Sequence, residues 1–309
     1  MIDLSIVIVN WNSGSLLRNC LTSIETCLKH GTSSFEIVVV DNASSDESLP
    51  DSAEFSNVLV LRNGENRGFG AACNAGARRG TGRYLLFLNP DCEVRHGSIE
   101  RCMAEFLDPE VGVCGVALES ESGEISRTCY RFPRLKEFCY RIFGMHLLSS
   151  RWNDGAMTYW GHGDDATVDH VIGAFYMVRK SFFDHLGGFD ERFFVYLEDL
   201  DFSLRVNKEG AKIRFLAQPA SFHVGGGSSR NAKAARIFYA TSSRIIYAFK
   251  HFPRWQAYIH VALTLLVEPI ARTVLHFFRG SFGDLKENLR GFIMLYSNLR
   301  RIFRASFRQ

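Results

Sequence analysis

Short apolar runs alternate with helix-like segments along the first third of this chain, and this alternation limits the fold more than any other feature. The apolar runs are rich in aliphatic and β-branched residues, as buried strands are: Leu4–Val9, Glu36–Val40, Val58–Arg62 and Tyr84–Leu88. Helical spacing over residues 16–28 and a Gly/Ala-rich entry at Gly68–Arg79 separate them. Strands and helices that alternate in units of roughly 30 residues form right-handed crossovers and a parallel sheet. The sequence therefore predicts an α/β fold.

The following segment is less regular. We predict a helix over Ile99–Leu107, strands over Val113–Leu118 and Val171–Arg179, and a helix from Leu200. Residues 120–168 show little periodicity and are predicted to form loops over the site. Ser13 or Ser15 is expected to cap the first helix.

The cysteines and the N-terminus indicate a reducing compartment. None of the eight cysteines forms a Cys-x-x-Cys pair or a zinc-like spacing, which favours free thiols. Asp3 precedes the first apolar run without a basic leader, so no signal peptide is expected. Both features favour the cytoplasm.

The charge distribution divides the chain into a main domain, residues 1–229, and a basic region, residues 230–309. The basic region carries 14 Lys/Arg against 3 Asp/Glu, whereas the main domain carries 22 against 30. Such a tail is expected to meet an anionic surface. Its apolar stretch Ala257–Val267 is too short to span a bilayer, which favours interfacial amphipathic helices. The alternative is a helical cap on the main domain or on a second copy in a homodimer; the acidic main domain argues against nucleic acid.

Polar residues follow three of the predicted strands: Asn10 and Asn12, Asp41–Asp46, and Asn89 with Asp91. Ligands of open α/β sheets bind at this carboxyl edge. The Asp91 carboxylate is suited to hold a divalent cation against a nucleotide diphosphate. Asp41 is suited to accept hydrogen bonds from a base or ribose, or else to form an Asx turn.

Three further segments carry candidate chemistry. Asn66–Asn74 contains glycines and Arg67, which suit a phosphate, although it matches neither a Walker loop nor a dinucleotide fingerprint. Glu198-Asp199, between aromatic residues, is either a general base or an acidic helix N-terminus. His223, which precedes the glycine run 225–227, is either a metal or phosphate contact or a structural histidine.

In their order and spacing, these motifs resemble the family 2 inverting nucleotide-sugar glycosyltransferases of the GT-A fold. The resemblance covers roughly residues 4–229. Asn-Pro-Asp at 89–91, Gly-Phe-Gly at 68–70 and Phe-x-Tyr-x-Glu-Asp-x-Asp at 194–201 resemble the rhamnosyltransferase-like branch, which builds cell-surface polysaccharides.

The resemblance implies a Rossmann-like, mostly parallel sheet flanked by helices, with the basic region as a helical extension. It assigns Asp199 as the catalytic base with Glu198 beside it, and Asp91 with His223 as ligands of Mg²⁺ or Mn²⁺. Asn89 replaces the first aspartate of the family's Asp-x-Asp motif, so fewer carboxylates hold the metal. The implied nucleotide-sugar contacts are Val9, Asn10, Asn12, Asp41, Ser44, Asn66, Arg67, Gly68, Asn74, Asn89, Asp91, Gly173 and Ala174.

The implied reaction is a single displacement at the anomeric carbon of a nucleotide sugar. dTDP-rhamnose is the favoured donor, with UDP- or GDP-sugars as alternatives, and the acceptor is a saccharide or a polyprenyl-diphosphate-linked sugar. The enzyme is expected on the inner face of the cell membrane, held there by the basic region. Two rival interpretations are a nucleotidyltransferase and a non-catalytic membrane scaffold. The first expects a Gly/Arg-rich loop after the first strand, where Asn10-Trp11-Asn12-Ser13 stands, and the second expects a degraded acidic pair.

Overall fold

The computed structural model describes residues 2–29, 34–50, 54–55, 57–143, 160–225 and 232–307. The strands are β1 (Leu4–Asn10), β2 (Phe35–Asp41), β3 (Val58–Arg62), β4 (Tyr84–Leu88), β5 (Cys92–Glu93), β6 (Val111–Glu119), β7 (Cys129–Tyr130), β8 (Ala166–Val168), β9 (His170–Val171), β10 (Phe175–Arg179) and β11 (Lys212–His223). The helices are α1 (Leu16–Leu28), α2 (Phe69–Arg79), α3 (Ser98–Glu105), α4 (Leu135–Ile142), α5 (Lys180–His185), α6 (Glu198–Lys208), α7 (Lys233–His251), α8 (Arg254–Leu266), α9 (Glu268–Phe278), α10 (Phe282–Ser297) and α11 (Leu299–Phe307).

A nine-stranded sheet forms the centre of the described part of the main unit, in the order β3-β2-β1-β4-β10-β6-β11-β5, with β8 also on β11. Strands β1 to β4 pair in parallel, and β6 pairs in parallel with β11. Strand β10 runs antiparallel between β4 and β6, and the short β5 and β8 run antiparallel to β11. The predicted α/β fold with a mostly parallel sheet is confirmed.

The local predictions differ from the structure at three places. The predicted strand Val171–Arg179 is two strands, β9 and β10, because residues 172–174 leave the ladder. The predicted loop 120–168 contains β7, α4 and β8, while its residues 144–159 lie outside the described ranges. Neither predicted serine caps α1 with its side chain; the Ser13 hydroxyl donates instead to Oδ1 of Asn10.

Helices pack on the sheet through the apolar stripes that the sequence shows. Helix α1 buries Leu17, Leu21 and Ile24 in the core. Helix α2 approaches β1 closely at Gly76, where an added Cβ would overlap the side chain of Val7. All eight cysteines are free thiols, as predicted.

The chain divides into two compact units. The main unit comprises residues 1–130, 160–191 and 198–228, and the helical unit comprises 131–159, 192–197 and 229–309. Nothing in the sequence indicates that the described residues 131–143 and 192–197 would belong to the same unit as the C-terminal helices. The predicted helical extension is present as α7 to α11.

The helical unit has a buried charge cluster. Both carboxylate oxygens of Glu268 accept hydrogen bonds from Arg244, at 2.8 and 2.9 Å, and Arg272 donates to the same carboxylate at 2.9 Å. Within the described residues, no single helix has the length and hydropathy to span a bilayer. Helices α8 and α9 reach that length together, with a 40° bend between them.

Candidate active site

The ends of β1, β2 and β4 meet at one edge of the sheet. The ladder pairs Asn10 with Asp41, and Ile8 with Leu88, so the polar residues that follow these strands are neighbours. Val9 is buried within β1 and pairs with Val40, so it lies beside this edge as a sheet residue.

Asn10 and Asp41 form a buried hydrogen-bonded cluster at this edge. The Asn10 amide donates to Oδ1 of Asp41 at 2.9 Å and to the hydroxyls of Ser44 and Ser48 at 3.1 and 2.8 Å. Ser44 donates in turn to Oδ1 of Asp41 at 2.6 Å. Within the described ranges, Oδ2 of Asp41 accepts only a 3.3 Å bond from the Ser44 backbone N–H, so this oxygen is available to another donor.

The two loops beyond β1 and β2 are tied together. Ser44 accepts a hydrogen bond from the Asn12 backbone N–H at 3.0 Å, and Oδ1 of Asn12 accepts from the Ser45 N–H at 2.7 Å. The backbone is left-handed at Asn12 (φ 49°) and at Ala43 (φ 60°). A non-glycine residue in this region costs about 1–3 kcal/mol and is typical of functional sites.

Asn42, which the sequence analysis left out of its candidate contacts, joins the third loop to the other two. Its amide donates to the Gly68 carbonyl at 3.1 Å, and its Oδ1 lies 3.5 Å from the Arg67 N–H. Asn66 accepts from the Gly68 N–H at 3.0 Å. Gly68 precedes α2 at φ 88° and ψ 167°, a conformation that only glycine adopts readily. Arg67 is exposed beside this turn.

Asn74 has a packing role in the structure. Its amide donates to the Phe189 carbonyl at 2.8 Å, and its Oδ1 accepts from the Phe189 N–H at 2.9 Å. A further bond joins it to Glu191 at 3.1 Å. These bonds account for Asn74 without a nucleotide, so the predicted contact has no support from its geometry.

Asp91 and His223 face each other across two paired strands. The antiparallel register of β5 and β11 sets His223 opposite Cys92, and Nε2 of His223 lies 3.2 Å from Oδ1 of Asp91. Nε2 is buried and makes no hydrogen bond within the described residues. Two adjacent ligands of one small cation, each about 2.1 Å from it, lie roughly 3.0 Å apart. The pair therefore fits a divalent cation.

Cys92 belongs to the same cluster, since its sulfur and the ligand atoms of Asp91 and His223 lie within 4.8 Å of one another. Its thiol donates to the Ala174 carbonyl at 3.3 Å, and burial raises its pKa well above the usual value. A protonated thiol is a poor ligand for a hard cation. The oxygen of Asp91 and the imidazole of His223 are therefore better suited to such a cation than the sulfur of Cys92.

Asp199 lies close to this cluster through a short chain of contacts. Its Oδ2 accepts the Gly173 N–H at 2.7 Å. The next residue, Ala174, accepts hydrogen bonds from the Asn89 N–H at 3.0 Å and from Cys92, on either side of Asp91. An added Cβ at Gly173 would lie 3.2 Å from Oδ2, so glycine permits this approach. The two carboxylates, Asp91 and Asp199, thus share one edge of the sheet.

Glu198 and Asp199 differ in their surroundings. Glu198 is buried against Gly70 at the start of α2, and its Oε2 has no hydrogen-bond partner among the described residues. Burial, with the neighbouring Asp199 charge, raises the pKa of Glu198 well above its usual range. Glu198 is thus enclosed in the protein, and Asp199, whose side chain is 18% exposed, is the carboxylate that a substrate can reach. The backbone just before the pair is left-handed at Tyr196 (φ 71°) and Leu197 (φ 68°).

His170 is a residue near Asp199 that the sequence does not predict. Its Nε2 lies 3.8 Å from Oδ2 of Asp199. A lone histidine in an apolar strand carries no sequence signal that separates a functional residue from a core residue.

Comparison with known proteins identifies the class. The model of the glycosyl transferase family 2 matches residues 5–187, more than half of the chain. N-acetylglucosaminyl-diphospho-decaprenol L-rhamnosyltransferase of Mycobacterium tuberculosis is 26% identical over 314 residues, which cover 96% of this chain and 94% of that protein. Rhamnosyltransferase WbbL of Escherichia coli is 25% identical over 167 residues, or 53% of this chain and 61% of that protein.

Solved structures support the same fold. The mannosyltransferase PcManGT from Pyrobaculum calidifontis, crystallised with GDP-Man and Mn²⁺, superposes with a TM-score of 0.55 at 14% identity, over 96% of this chain and 86% of that one. The chain belongs to glycosyl transferase family 2. It is therefore a glycosyltransferase, as the motifs predict, and the nucleotidyltransferase and scaffold interpretations are set aside.

Proposed function

We propose that this glycosyltransferase inverts the anomeric centre, with Asp199 as its general base and Asp91 with His223 as its cation ligands. The observation that carries the proposal is the Gly173–Ala174 segment. Its first residue holds Asp199 at 2.7 Å, and its second bonds to both flanks of Asp91. A base and a cation site on one edge of the sheet are what the transfer of a sugar from a nucleotide diphosphate requires.

The displacement follows from these positions. Asp199 accepts the proton of an acceptor hydroxyl while that oxygen forms a bond to the anomeric carbon. The bond to the diphosphate breaks on the opposite face, so the nucleoside diphosphate leaves and the configuration inverts. A divalent cation bound to Asp91 and His223 would supply Lewis-acid stabilisation of the departing charge.

The donor pocket is the cluster around Asp41. The weakly engaged Oδ2 of Asp41 is suited to accept a hydrogen bond from the base or ribose. The names of two relatives favour a rhamnosyl donor, and dTDP-rhamnose is our first choice over UDP- and GDP-sugars. The Mycobacterium relative is named for a lipid-linked diphosphate, which favours an acceptor of that kind.

A lipid-linked acceptor agrees with the surface of the helical unit. Its exposed large apolar residues lie mainly on α8 to α10: Trp255, Tyr258, Ile259, Leu266, Ile270, Val274, Phe277, Phe278, Phe282, Leu289, Ile293 and Tyr296. In the described part of the main unit, only Leu59 and Leu107 are comparable. Exposed apolar side chains in this number favour contact with a membrane or a partner.

The charges of the helical unit favour an anionic membrane. The three acidic residues of its basic region, residues 230–309, are engaged: Glu268 is buried with arginines, Asp284 pairs with Lys233, and Glu287 pairs with Arg290. On α11, Arg300 and Arg304 line an open depression of about 570 Å³ together with Phe303 and Phe307. We propose a peripheral location on the inner face of the cell membrane; a second copy of the chain over the same surface is the alternative.

A donor panel tests the proposed reaction. Purified protein is incubated with dTDP-rhamnose, UDP-sugars or GDP-sugars and a polyprenyl-diphosphate-linked acceptor, with and without Mn²⁺. We expect nucleoside diphosphate release and a product whose anomeric configuration is opposite to that of the donor, only with Mn²⁺ or Mg²⁺. Retention of configuration would contradict the single displacement, and equal turnover in EDTA would contradict the cation site.

A further inference from the structure

A chain of buried polar side chains ends at Asp199. The Tyr176 hydroxyl on β10 and Oγ of Ser203 on α6 are 2.9 Å apart. The same Oγ lies 2.9 Å from Nδ1 of His170 on β9, whose Nε2 faces Oδ2 of Asp199 at 3.8 Å. Tyr176 and Ser203 are inaccessible to solvent, and His170 is 4% exposed. Residues of three elements, β10, α6 and β9, are thus linked in series, and His170 is the one that faces the carboxylate oxygen.

The available donors and acceptors determine the direction of the hydrogen bonds between Tyr176, Ser203 and His170. If Tyr176 donates to Ser203 and Ser203 donates to Nδ1 of His170, every hydroxyl proton has an acceptor, and the imidazole N–H is at Nε2, toward the carboxylate. The reverse direction leaves the Tyr176 proton without an acceptor among the described residues. It also directs the Nε2 lone pair at a negative charge, which is repulsive.

The imidazole is neutral in this environment. Burial lowers the pKa of His170 against the opposing effects of Asp199 and Asp169. A neutral imidazole has one N–H, so the tautomer that Ser203 selects decides what Asp199 meets.

The 3.8 Å separation is too long for a hydrogen bond, but catalytic contacts of ligand-free enzymes are often long and shorten in the reactive complex. Asp199 already accepts backbone N–H groups on both oxygens, from Gly173 at 2.7 Å and Leu200 at 2.8 Å. A third donor on Oδ2 would fix the plane of the carboxylate.

We propose that His170 is a positioning residue for Asp199, oriented by Ser203 and Tyr176. The inference rests on the proposed role of Asp199 as the base. His170 does not touch substrate; it holds the carboxylate in the orientation that accepts the proton of the acceptor hydroxyl. This arrangement adds a specific requirement to the active site, namely a donor at the position of Nε2.

Two substitutions of His170 test the roles of its two ring nitrogens separately. In His170→Asn the amide reaches the position of Nδ1, which keeps the bond to Ser203 and loses the contact with Asp199. In His170→Gln the longer amide reaches the position of Nε2 and restores a donor toward Asp199. We expect kcat to fall about 10- to 100-fold in His170→Asn, with donor and acceptor KM within about threefold, and to recover most of the loss in His170→Gln. His185→Asn, on the exposed end of α5, is the matched control and should retain wild-type kcat.

An equal kcat in His170→Asn and His170→Gln overturns the inference. This holds if both variants have the wild-type kcat, and also if both lose kcat in parallel with a lower melting temperature. If either variant fails to fold, Ser203→Ala decides the question, because it removes the orienting hydroxyl and leaves His170 in place. A lower kcat with unchanged donor KM supports the inference, and wild-type kcat overturns it. Asp199→Asn distinguishes the two proposals: if that variant is active, the base assignment fails first.

Discussion

At the scale of single residues, the proposed reaction depends on the different roles of two adjacent carboxyl groups. Glu198 is buried with an unpartnered Oε2, whereas Asp199 is partly exposed and held by two backbone N–H groups. Only the second is placed to accept a proton from a substrate. Substitution of Glu198 and substitution of Asp199 should therefore affect catalysis in different ways.

We predict that Asp199→Asn lowers kcat by about 10²- to 10⁴-fold, because the amide cannot accept the proton. Donor binding, measured by isothermal titration with the nucleotide sugar and Mn²⁺, should change by less than about threefold. The matched control is Asp184→Asn, which removes an exposed carboxylate that pairs with Lys180. Loss of donor affinity with unchanged kcat would place Asp199 in the donor pocket instead.

Some residues of the site can be predicted from the sequence and others cannot. Asn10, Asp41 and Asp91 are predictable, because each follows an apolar run that must be a buried strand. Asn42 and His170 are not, because their roles depend on contacts with Gly68 and with Asp199, 26 and 29 positions away along the chain. The prediction of a Ser13 side-chain cap is wrong because the Ser13 hydroxyl donates to the amide oxygen of Asn10 instead.

At the scale of elements, the sheet was predictable and the helical unit only in part. Buried parallel strands read as continuous apolar runs, whereas the break in Val171–Arg179 arises from Gly173, whose N–H bonds to a side chain instead of a strand. In the helical unit, Glu268-Pro269 directly follows the apolar stretch Ala257–Val267 and interrupts it. The sequence does not reveal that Glu268 joins α9 to α7 through Arg244.

The pairing of α7 with α9 gives a stability prediction. Glu268→Gln leaves the buried Arg244 without its counter-charge, so we expect the free energy of unfolding to fall by about 3–5 kcal/mol at pH 7, measured by urea denaturation. Glu287→Gln, which removes an exposed pair with Arg290, should have little effect. Equal, small losses in both variants would show that the buried pair is not stabilising α9.

The Glu268 carboxylate also makes the free energy of unfolding depend on pH. Burial alone would raise the pKa of Glu268, but the guanidinium groups of Arg244 and Arg272 hold it below its usual 4.5. A lowered folded-state pKa stabilises the fold above the unfolded value, and this stabilisation is lost as pH falls from about 4.5 through the folded-state pKa. The stability difference between wild type and Glu268→Gln should therefore narrow in that acidic window.

At the scale of the whole molecule, the two units have different surfaces. The apolar residues of α8 to α10 and the arginines of α11 suit an anionic bilayer. We predict that the protein sediments with vesicles containing phosphatidylglycerol and not with phosphatidylcholine vesicles. Changing both Phe277 and Phe278 to Asp should weaken this partition by about tenfold or more, since each buried phenylalanine contributes about 1.5–3 kcal/mol.

The control for that experiment is Leu107→Asp in the main unit, because Leu107 is 85% exposed and Phe278 is 82% exposed. It should bind vesicles as the wild type does. Unchanged partition of the double variant would contradict the membrane proposal. A concentration-dependent dimer in light scattering, abolished by the double variant, would instead identify a second copy as the occupant.

The central claim is that a cation held by Asp91 and His223 and the carboxylate of Asp199 serve one reaction centre. The most direct measurement is a crystal structure of the full chain with Mn²⁺ and a nucleoside diphosphate, with the metal located by its anomalous signal. The account predicts one peak between Oδ1 of Asp91 and Nε2 of His223, with the diphosphate on it and Asp199 facing the space where the sugar would lie. A metal bound by other carboxylates, or a nucleotide away from the Asn10–Asp41 cluster, would contradict it.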